Sequence, residues 1–330
     1  MMKEEKWGAS SQQLYAQFLY KFCKFKENIN IGMFSPPLFM SGGSYKEFRK
    51  NFLNIFGFKS GFLMNAGEFD GTSDWGLSFT IWSDKNMNKN DFNLLVKKSN
   101  DLGEISYLYD KKIYNLDILE EASKWVRKEL VKMKTFDAPQ MSSAINCKQK
   151  GYSNLVNDSI GYFGSSANGV YKNLTDVSIF STGYSVGHGL SIIKENYFKV
   201  SSLFSARKLI KPDWINQKDE YMAPNESHPE WKQFQYDSLV YSLFNTSSNQ
   251  SSLRQIDYKG KKWDIKNEFF WMSKNDMMEL SEKKYFDDLY RDARSSDERY
   301  VYKLLFEEGV YDKLSTDAKD VLDTATELVK

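Results

Sequence analysis

The sequence has few of the residues on which many functional sites depend. Its 330 residues include only two histidines and two cysteines, and 45 lysines and arginines are balanced by 44 aspartates and glutamates. The two thiols, Cys23 and Cys147, lie in unrelated segments, form no metal-binding spacing and are typical of a reducing compartment. With so few histidines, a histidine-rich metal site is excluded and a catalytic triad has few candidate bases.

Long hydrophobic runs are also missing. No apolar segment follows the first residues, which argues against a signal peptide, and no stretch approaches the roughly 20 apolar residues of a membrane span. We therefore expect a cytoplasmic protein with no membrane partner. The net charge of +1 argues against a protein that coats nucleic acid non-specifically, so any binding of DNA requires a local basic patch.

Aromatic residues, in contrast, are abundant. They make up 16% of the chain, and hydrophobic residues as a whole make up 41%, which is typical of a folded protein of about two domains. So many rings indicate either an aromatic-rich core or a surface that stacks on planar ligands, and composition alone leaves both open.

Helix and strand patterns alternate over residues 1–83. The periodicity predicts two helices and three strands, at residues 12–25, 30–34, 45–56, 58–65 and 77–82. This order predicts a partly parallel α/β sheet with covering helices, whose last two strands form an antiparallel pair at a sheet edge. Because the chain begins on a helix rather than on a ligand-binding strand, we interpret this region as the C-terminal half of a Rossmann-like α/β domain.

Two local features of this region are specific predictions. Ser44 and Glu47 have the spacing of a capping box at the start of the second helix. The first helix should bury one apolar face, formed by Leu14, Phe18, Leu19 and Phe22.

The rest of the chain divides into three further regions. Residues 84–140 are expected to be a helical connector that contains a long helix at residues 115–134. Residues 141–282 are rich in serine, asparagine and glycine, which predicts an irregular α+β region with long loops. Residues 283–330 form a helical tail, in which Ser315 caps the last helix.

Polar and basic side chains are concentrated in the irregular region. The candidates for contacts with base edges and phosphates are Asn249, Gln250, Ser251, Ser252 and Arg254, then Lys261, Lys262 and Asn267 among aromatic residues, and the cluster of Arg207 and Lys208. A polar loop followed by an amphipathic hairpin explains the first two groups equally well. Short cationic runs such as the third are commonly solvated surface.

Several segments together resemble one family, the adenine-specific (N-6) DNA methyltransferases of type II restriction-modification systems, including those fused to an endonuclease. The similar segments cover nearly the whole chain: residues 14–19, 34–39, 45–49, 61–63, 75–82, 204–207, 237–254, 266–270 and 314–319. Ser35-Pro36-Pro37-Leu38 is similar to the catalytic tetrapeptide of such enzymes, but Leu38 lacks the stacking ring. In the resemblance it falls on the strand after the catalytic one, so we interpret it as a rigid turn.

The resemblance implies what the chain does and what it needs. The complete enzyme would transfer a methyl group from S-adenosylmethionine to the amino group of a flipped adenine, and this chain would read double-stranded DNA through residues 141–282. The glycine-rich cofactor motif and the Asn-Pro-Pro-Tyr tetrapeptide of the family would lie upstream of Met1. We therefore expect the chain to require an N-terminal methyltransferase segment or subunit, and to be inactive and unable to hold the cofactor alone.

No catalytic residue and no metal ligand is assigned to this chain. The resemblance places the loop before the last strand against the flipped base, with Trp75 or Phe69 as the residue in contact with that base. Alternatively, Trp75 is an aromatic residue at the edge of the core with no contact to a base. Two other classes of function stay open, a stand-alone non-catalytic DNA-binding protein and a binder of carbohydrate or peptide.

Overall fold

A computed structural model shows a mixed α/β protein that divides into two compact units. It describes residues 2, 5, 7–25, 28–69, 74–85, 88–100, 102–139, 152–157, 159, 161–173, 176–180, 188–244, 255–258, 261–264, 305 and 308–328. The first unit comprises Met1–Glu121, Gly169–Tyr171 and Pro212–Ala223, and the second comprises Ala122–Asn168, Lys172–Lys211 and Pro224–Lys330.

The first unit contains helices and a single five-stranded sheet. Its helices are α1 (Leu14–Phe22), the one-turn α2 (Leu38–Ser41) and α3 (Lys46–Ile55). Its strands are β1 (Asn30–Ser35), β2 (Gly57–Asn65), β3 (Gly76–Ser83), β4 (Asp91–Ser99) and β5 (Ile105–Tyr114). Short 3₁₀ turns occur at Ala9–Gln12, Gly43–Tyr45, Ala66–Glu68 and Leu116–Ile118.

The sheet is mixed, with the strand order β1-β3-β2-β4-β5. Strand β3 pairs antiparallel with both β1 and β2, β4 is parallel to β2, and β5 is antiparallel to β4. Strands β1, β2 and β4 therefore run in one direction. The predicted antiparallel pairing of the last two strands is confirmed, but its place at a sheet edge is wrong, because β4 and β5 continue the sheet beyond β2.

An aromatic core holds α1 and α3 on one face of this sheet. Trp82 of β3 is almost fully buried, and its ring centroid lies 5.1 Å from that of Phe52 on α3 and 5.3 Å from that of Phe92 on β4. Ile31 of β1 and Leu19 of α1 belong to the same core. Edge-to-face ring pairs of this kind contribute about 0.5–1.5 kcal/mol each beyond the burial of their area.

The first helix forms as predicted but buries a different face. It packs Ala16, Leu19 and Tyr20 inward, whereas Leu14 and Phe18 are exposed. The rotation follows from the aromatic partners: the ring of Tyr20 lies edge-on to Trp7 at 5.0 Å, and that of Tyr15 stacks on Tyr45 at 6.0 Å. A hydrophobicity pattern does not contain these pairings.

The helical connector predicted for residues 84–140 is wrong, because β4 and β5 occupy most of its first half. The long helix at residues 115–134 is also absent. Asn115 accepts from the Asp117 amide to start a single 3₁₀ turn, and Glu121 then pairs as an extended residue with Met222. After this extended residue the chain forms only the one-turn helix α4 (Ala122–Trp125) and a 3₁₀ turn instead of a long helix.

A segment from late in the sequence completes the first unit. Residues 212–223 return to the sheet, where Lys111 of β5 donates from Nζ to Asp219 Oδ2 and to the Ile215 carbonyl, both at 2.6 Å. Gly43 N–H donates to Glu220 Oε1 at 2.9 Å. Burial raises the pKa of both carboxyl groups, and each has a partner in the first unit: the Lys111 ammonium for Asp219 and the Gly43 amide for Glu220.

Arg49 on α3 fixes the turn that precedes this helix. Its buried guanidinium donates to the carbonyls of Phe39 (3.2 Å) and Gly42 (2.5 Å) and to Asp117 Oδ1 (3.0 Å). The capping box predicted for Ser44 and Glu47 does not form, because the chain enters α3 from a 3₁₀ turn and Tyr45 takes the cap position.

The described residues of the second unit form an α+β arrangement of short elements; most of residues 245–304, including the start of the predicted helical tail at 283, lie outside them. Its strands are β6 (Thr135–Pro139), β7 (Tyr152–Val156), β8 (Gly161–Gly164), β9 (Ser178–Phe180), β10 (Leu190–Ile192), β11 (Gln255–Tyr258) and β12 (Lys261–Asp264). They pair as a β10-β8-β9 sheet and two hairpins. Further 3₁₀ turns are Lys128–Leu130, Lys194–Asn196 and Tyr311–Lys313. One more, Val170–Lys172, spans a boundary between the units.

Three longer helices complete the second unit. Helices α5 (Tyr197–Leu209) and α6 (Trp231–Phe244), which the sequence pattern did not predict, pack together. The last helix, α7 (Thr316–Leu328), is confirmed together with its cap, because the Ala318 amide donates to Ser315 Oγ at 3.2 Å. Among the helices that the structure describes, none has both the length and the apolar character of a bilayer-crossing segment.

Candidate functional site at the carboxyl edge of the sheet

The carboxyl ends of β1, β2 and β4 lie at the same edge of the sheet, because these strands run in one direction. This edge, which we call the carboxyl edge, is where ligands bind in open α/β sheets. It contains the turn after Ser35, the loop at residues 66–75 between β2 and β3, and the turn after Ser99. Trp75 and Phe69 both belong to its central loop.

The ends of that loop are fixed by hydrogen bonds. Ala66 N–H donates to the Trp75 carbonyl at 2.7 Å, and the Asn65 carboxamide donates to the Asp74 carboxylate. Asn65 Oδ1 also accepts from Gly67 N–H at 2.9 Å and so caps the 3₁₀ turn that follows. The loop therefore leaves β2 and enters β3 in a defined conformation.

Trp75 is half-buried beside the returning segment. The Lys218 Nζ lies 6.0 Å from its ring centroid, and the Gln217 side chain donates to the Asp74 carbonyl at 2.8 Å. At Gly76 a Cβ atom would lie only 2.6 Å from the Trp214 carbonyl oxygen, so this position has no room for a side chain. The segment thus sets the position of Trp75, and a contact of this ring with a base stays a prediction.

Phe69 belongs to a cluster of four phenylalanines that includes Phe34, Phe62 and Phe79, which we call the phenylalanine cluster. The ring centroid of Phe34 lies 5.8 Å from Phe69, 4.8 Å from Phe79 and 6.0 Å from Phe62, and Phe62 stacks on Phe79 at 5.4 Å. Phe34 and Phe69 are 47% and 42% exposed. Lys97 places its Nζ 4.9 Å from the centroid of Phe62. Of these four rings, only Phe69 was a candidate base contact, and that assignment came from the resemblance.

The phenylalanine cluster lies on the sheet face opposite α1 and α3. The alternation of residues in β3 explains why the sequence does not predict this cluster. Its polar residues Ser78 and Thr80 are buried, where Ser78 Oγ donates to the Ser35 carbonyl at 2.9 Å and Thr80 Oγ1 accepts from Trp82 Nε1 at 2.8 Å. Phe79 and its apolar neighbours of the same parity therefore face outward and are half-buried. A strand that alternates apolar and hydroxyl residues ordinarily predicts the reverse.

Ser35-Pro36-Pro37 ends β1, and α2 begins at Leu38. Ser35 is buried, its carbonyl accepts from Ser78, and no described residue satisfies its hydroxyl. This geometry is that of a rigid turn between a strand and a helix, in agreement with the interpretation from the sequence.

Arg207 is not on a DNA-binding surface, and the prediction that it contacts DNA is wrong. Its side chain is fully buried in α5 and donates to Asn173 Oδ1 (3.2 Å), Ser165 Oγ (2.8 Å) and the Ala167 carbonyl (3.0 Å). An arginine side chain is usually exposed, because a cation is rarely buried without hydrogen-bond acceptors. Here a polar pocket inside the second unit supplies those acceptors.

Lys208, next to it, is half-buried and packs its ammonium 5.8 Å from the Phe204 ring. Burial, followed by the charge of Arg207, lowers the pKa of Lys208. A contact of this lysine with DNA stays a prediction.

The structure places only part of the remaining predicted DNA-binding set. Lys261 and Lys262 lie on β12, opposite Tyr258 and Asp257 of β11, in the hairpin that the sequence suggested. The other candidates, Asn249, Gln250, Ser251, Ser252, Arg254 and Asn267, lie outside the described residues. Within the described part of the chain, no group of three or more histidine, cysteine, aspartate or glutamate side chains is arranged to hold a metal ion.

Comparison with protein-family models, curated proteins and solved structures gives no match for this chain.

Proposed function

We propose that the chain is the target-recognition and sheet-closing half of an adenine-specific DNA methyltransferase, which functions together with a second polypeptide segment. In this proposal the second unit reads double-stranded DNA, and the carboxyl edge of the first unit receives the flipped adenine. The observation that carries the proposal is the position of Phe69 and Trp75, which lie at the two described ends of the loop at the carboxyl edge.

The chemistry of the reaction is divided between the two polypeptides. The sequence contains no glycine-rich cofactor motif and no Asn-Pro-Pro-Tyr, and Ser35-Pro36-Pro37 is a structural turn. We therefore assign this chain neither contacts with S-adenosylmethionine nor a step in methyl transfer. Its own contribution would be to hold the duplex and to stack on the extruded base, which offsets a few kcal/mol of unstacking.

Recognition of DNA by the second unit is tested with binding measurements on the full chain. Arg254→Ala and Lys262→Ala should each weaken binding to duplex DNA and reduce the slope of log K against log salt by about one phosphate contact. Lys232→Ala is the matched control, since Lys232 is an exposed lysine on α6 of the same unit. Equal affinity of all three variants and the parent would remove this region from the proposal.

Extrusion of the base is tested by fluorescence. A duplex carrying 2-aminopurine at the target adenine brightens when the base leaves the stack, and Trp75→Ala or Phe69→Ala should reduce that signal in the assembled enzyme. Trp75→Phe, which keeps a ring, should retain more of the signal than Trp75→Ala. If neither alanine variant changes the fluorescence, the assignment of the carboxyl edge as the base site is wrong.

The division of chemistry is tested by mixing. The chain and the polypeptide encoded directly upstream of it, purified separately, are combined with DNA and radiolabelled S-adenosylmethionine. We expect methyl transfer only from the mixture. Transfer by this chain alone would contradict the proposal, as would a mixture that binds DNA but never methylates it; the second result would favour a stand-alone DNA-binding protein.

A further inference from the structure

Trp75 carries an aromatic ring that the core of the protein does not use. Four other tryptophans of the described chain each pair with a second ring: Trp7, Trp82, Trp125 and Trp231. A fifth, Trp214, packs against the core of the first unit. Trp75 is half-buried, and in the described part of the chain no other ring pairs with it. A large ring that is partly open to solvent offers an apolar face to a planar ligand.

The backbone holds this ring in place before any ligand arrives. The Trp75 carbonyl accepts from Ala66 N–H at 2.7 Å, and the preceding carbonyl, that of Asp74, accepts from the Gln217 side chain at 2.8 Å. On the other side, the Trp214 carbonyl closes the space at Gly76. A group that is already ordered loses little conformational entropy when it binds.

Lys218 supplies a cation beside the same ring. Its carbonyl accepts from Ser41 Oγ at 2.8 Å, which anchors the backbone, and its Nζ lies 6.0 Å from the Trp75 centroid. That distance is at the limit of a cation–π contact, so the ring holds the ammonium only weakly. Lys111 pairs with Asp219 at 2.6 Å, whereas no carboxylate of the described residues pairs with Lys218. The charge of Lys218 is therefore available to an anion.

A ring and an ammonium side by side favour a ligand that joins a planar group to a negative charge. A nucleotide has both parts, because its base stacks on an aromatic face and its phosphate accepts from a lysine. A carbohydrate would leave the ammonium without a counter-charge, and an inorganic anion would leave the ring in water. The carboxylate of Asp74, next in sequence to Trp75, accepts from the Asn65 carboxamide. A single cation suits one phosphate rather than a stretch of duplex.

We propose that Trp75 and Lys218 together bind one nucleotide, whose base stacks on the indole ring and whose own phosphate binds the ammonium. This inference rests on the proposed function in one respect: it takes the nucleotide to be the adenine unit extruded from the duplex. It adds a phosphate contact within the first unit, at a lysine that the sequence did not single out.

The test compares deoxyadenosine monophosphate with deoxyadenosine as ligands of the full chain. Equilibrium dialysis at low salt gives the affinities, and ¹⁹F NMR of protein labelled with 5-fluorotryptophan locates the ligand, with the Trp75 resonance assigned from Trp75→Phe. We expect both ligands to shift the Trp75 resonance, and the monophosphate to bind about tenfold more tightly, because a hydrogen bond to a charged group is the stronger kind.

The variants separate the two contacts. Lys218→Ala should abolish the preference for the monophosphate, Lys218→Arg should retain most of it, and Trp75→Ala should weaken both ligands alike. Lys98→Ala is the matched control, since Lys98 is an exposed lysine on β4 of the same unit, and it should bind both ligands as the parent does. Thermal unfolding of each variant verifies that it is folded.

Other outcomes would overturn the inference. A preference for the monophosphate that survives Lys218→Ala would place the phosphate elsewhere, and a Trp75 resonance that neither ligand shifts would remove the stacking contact. Inorganic phosphate that binds as tightly as the monophosphate would show an anion site without a base. Each of these results leaves recognition of DNA by the second unit intact. A nucleotide site that depends on Lys218, in a chain that does not bind duplex DNA, would uphold the inference and reject the proposed function.

Discussion

Replacing Arg207 with alanine separates a surface role for this residue from the internal role that the structure gives it. The guanidinium is fully buried and donates to Asn173, Ser165 and the Ala167 carbonyl. Arg207→Ala would leave these acceptors facing a cavity. A buried polar group that loses its partner costs about 1–3 kcal/mol, and removal of a buried charged partner costs about 3–5 kcal/mol.

The expected loss for Arg207→Ala is therefore about 3–5 kcal/mol in the free energy of unfolding of the second unit. For a unit of this size each kcal/mol shifts the melting temperature by about 2–4 °C, so a decrease of roughly 10 °C is expected. Urea unfolding followed by tryptophan fluorescence measures the free energy, and a thermal scan measures the shift. Lys232→Ala, an exposed lysine in the same unit, should change stability by less than about 0.5 kcal/mol.

DNA affinity provides the opposing readout. At a temperature at which Arg207→Ala is folded, its affinity for duplex DNA should equal that of the parent, because the side chain does not reach the surface. A variant that keeps its melting temperature but loses DNA binding would refute the internal role. It would also restore the interpretation of residues 207–208 as a phosphate-binding cluster.

Three further substitutions test the first unit. Arg49→Ala should destabilise it by about 3–5 kcal/mol in urea unfolding, because its guanidinium is buried with carbonyl and carboxylate acceptors, whereas the exposed neighbour Lys50→Ala should have little effect. Burial raises the pKa of Glu220, so its ionised form opposes folding. Glu220→Gln should therefore raise the melting temperature at pH 7. This increase in melting temperature should shrink as the pH falls through that pKa, because the carboxyl of the parent then takes up its proton. A gain that grows at low pH would contradict this cause. Gly76→Ala should lower the free energy of unfolding by about 1–3 kcal/mol, because its Cβ would lie 2.6 Å from the Trp214 carbonyl oxygen. A melting temperature equal to that of the parent would show that residues 212–223 can move away without loss of stability.

Local patterns predicted the elements of the first unit well and their faces less well. Strands β1, β2 and β3 and helices α1 and α3 all form within a few residues of the predicted bounds. The inward face of α1 depends on Trp7 and Tyr45, which are distant in sequence, and hydrophobic periodicity carries no information about such partners. The same limit explains the helix predicted at residues 115–134, which is interrupted by pairing of Glu121 with Met222.

The candidate site was predicted in part. Phe69 and Trp75 lie between β2 and β3, as the sequence predicted, and their contact with a base stays a prediction; Phe34, Phe62 and Lys97, which lie near Phe69, were not predicted. Those residues meet only because the four strands β1, β3, β2 and β4 lie side by side in an order that the sequence does not contain. Ser78 and Thr80 added to the difficulty, since hydroxyl groups that find hydrogen-bond partners can be buried at little cost.

The return of residues 212–223 to the first unit has a consequence for the order in which the protein folds. Contacts of Lys111 and Gly43 with this segment join residues more than a hundred positions apart. During synthesis the last strand of the sheet ends at residue 114. Residues 212–223, which stabilise the sheet, leave the ribosome only after much of the second unit has been made. Long-range closure of this kind slows folding and exposes apolar surface meanwhile. A gene fragment that stops at residue 121 would consequently yield an aggregation-prone intermediate rather than an independent domain.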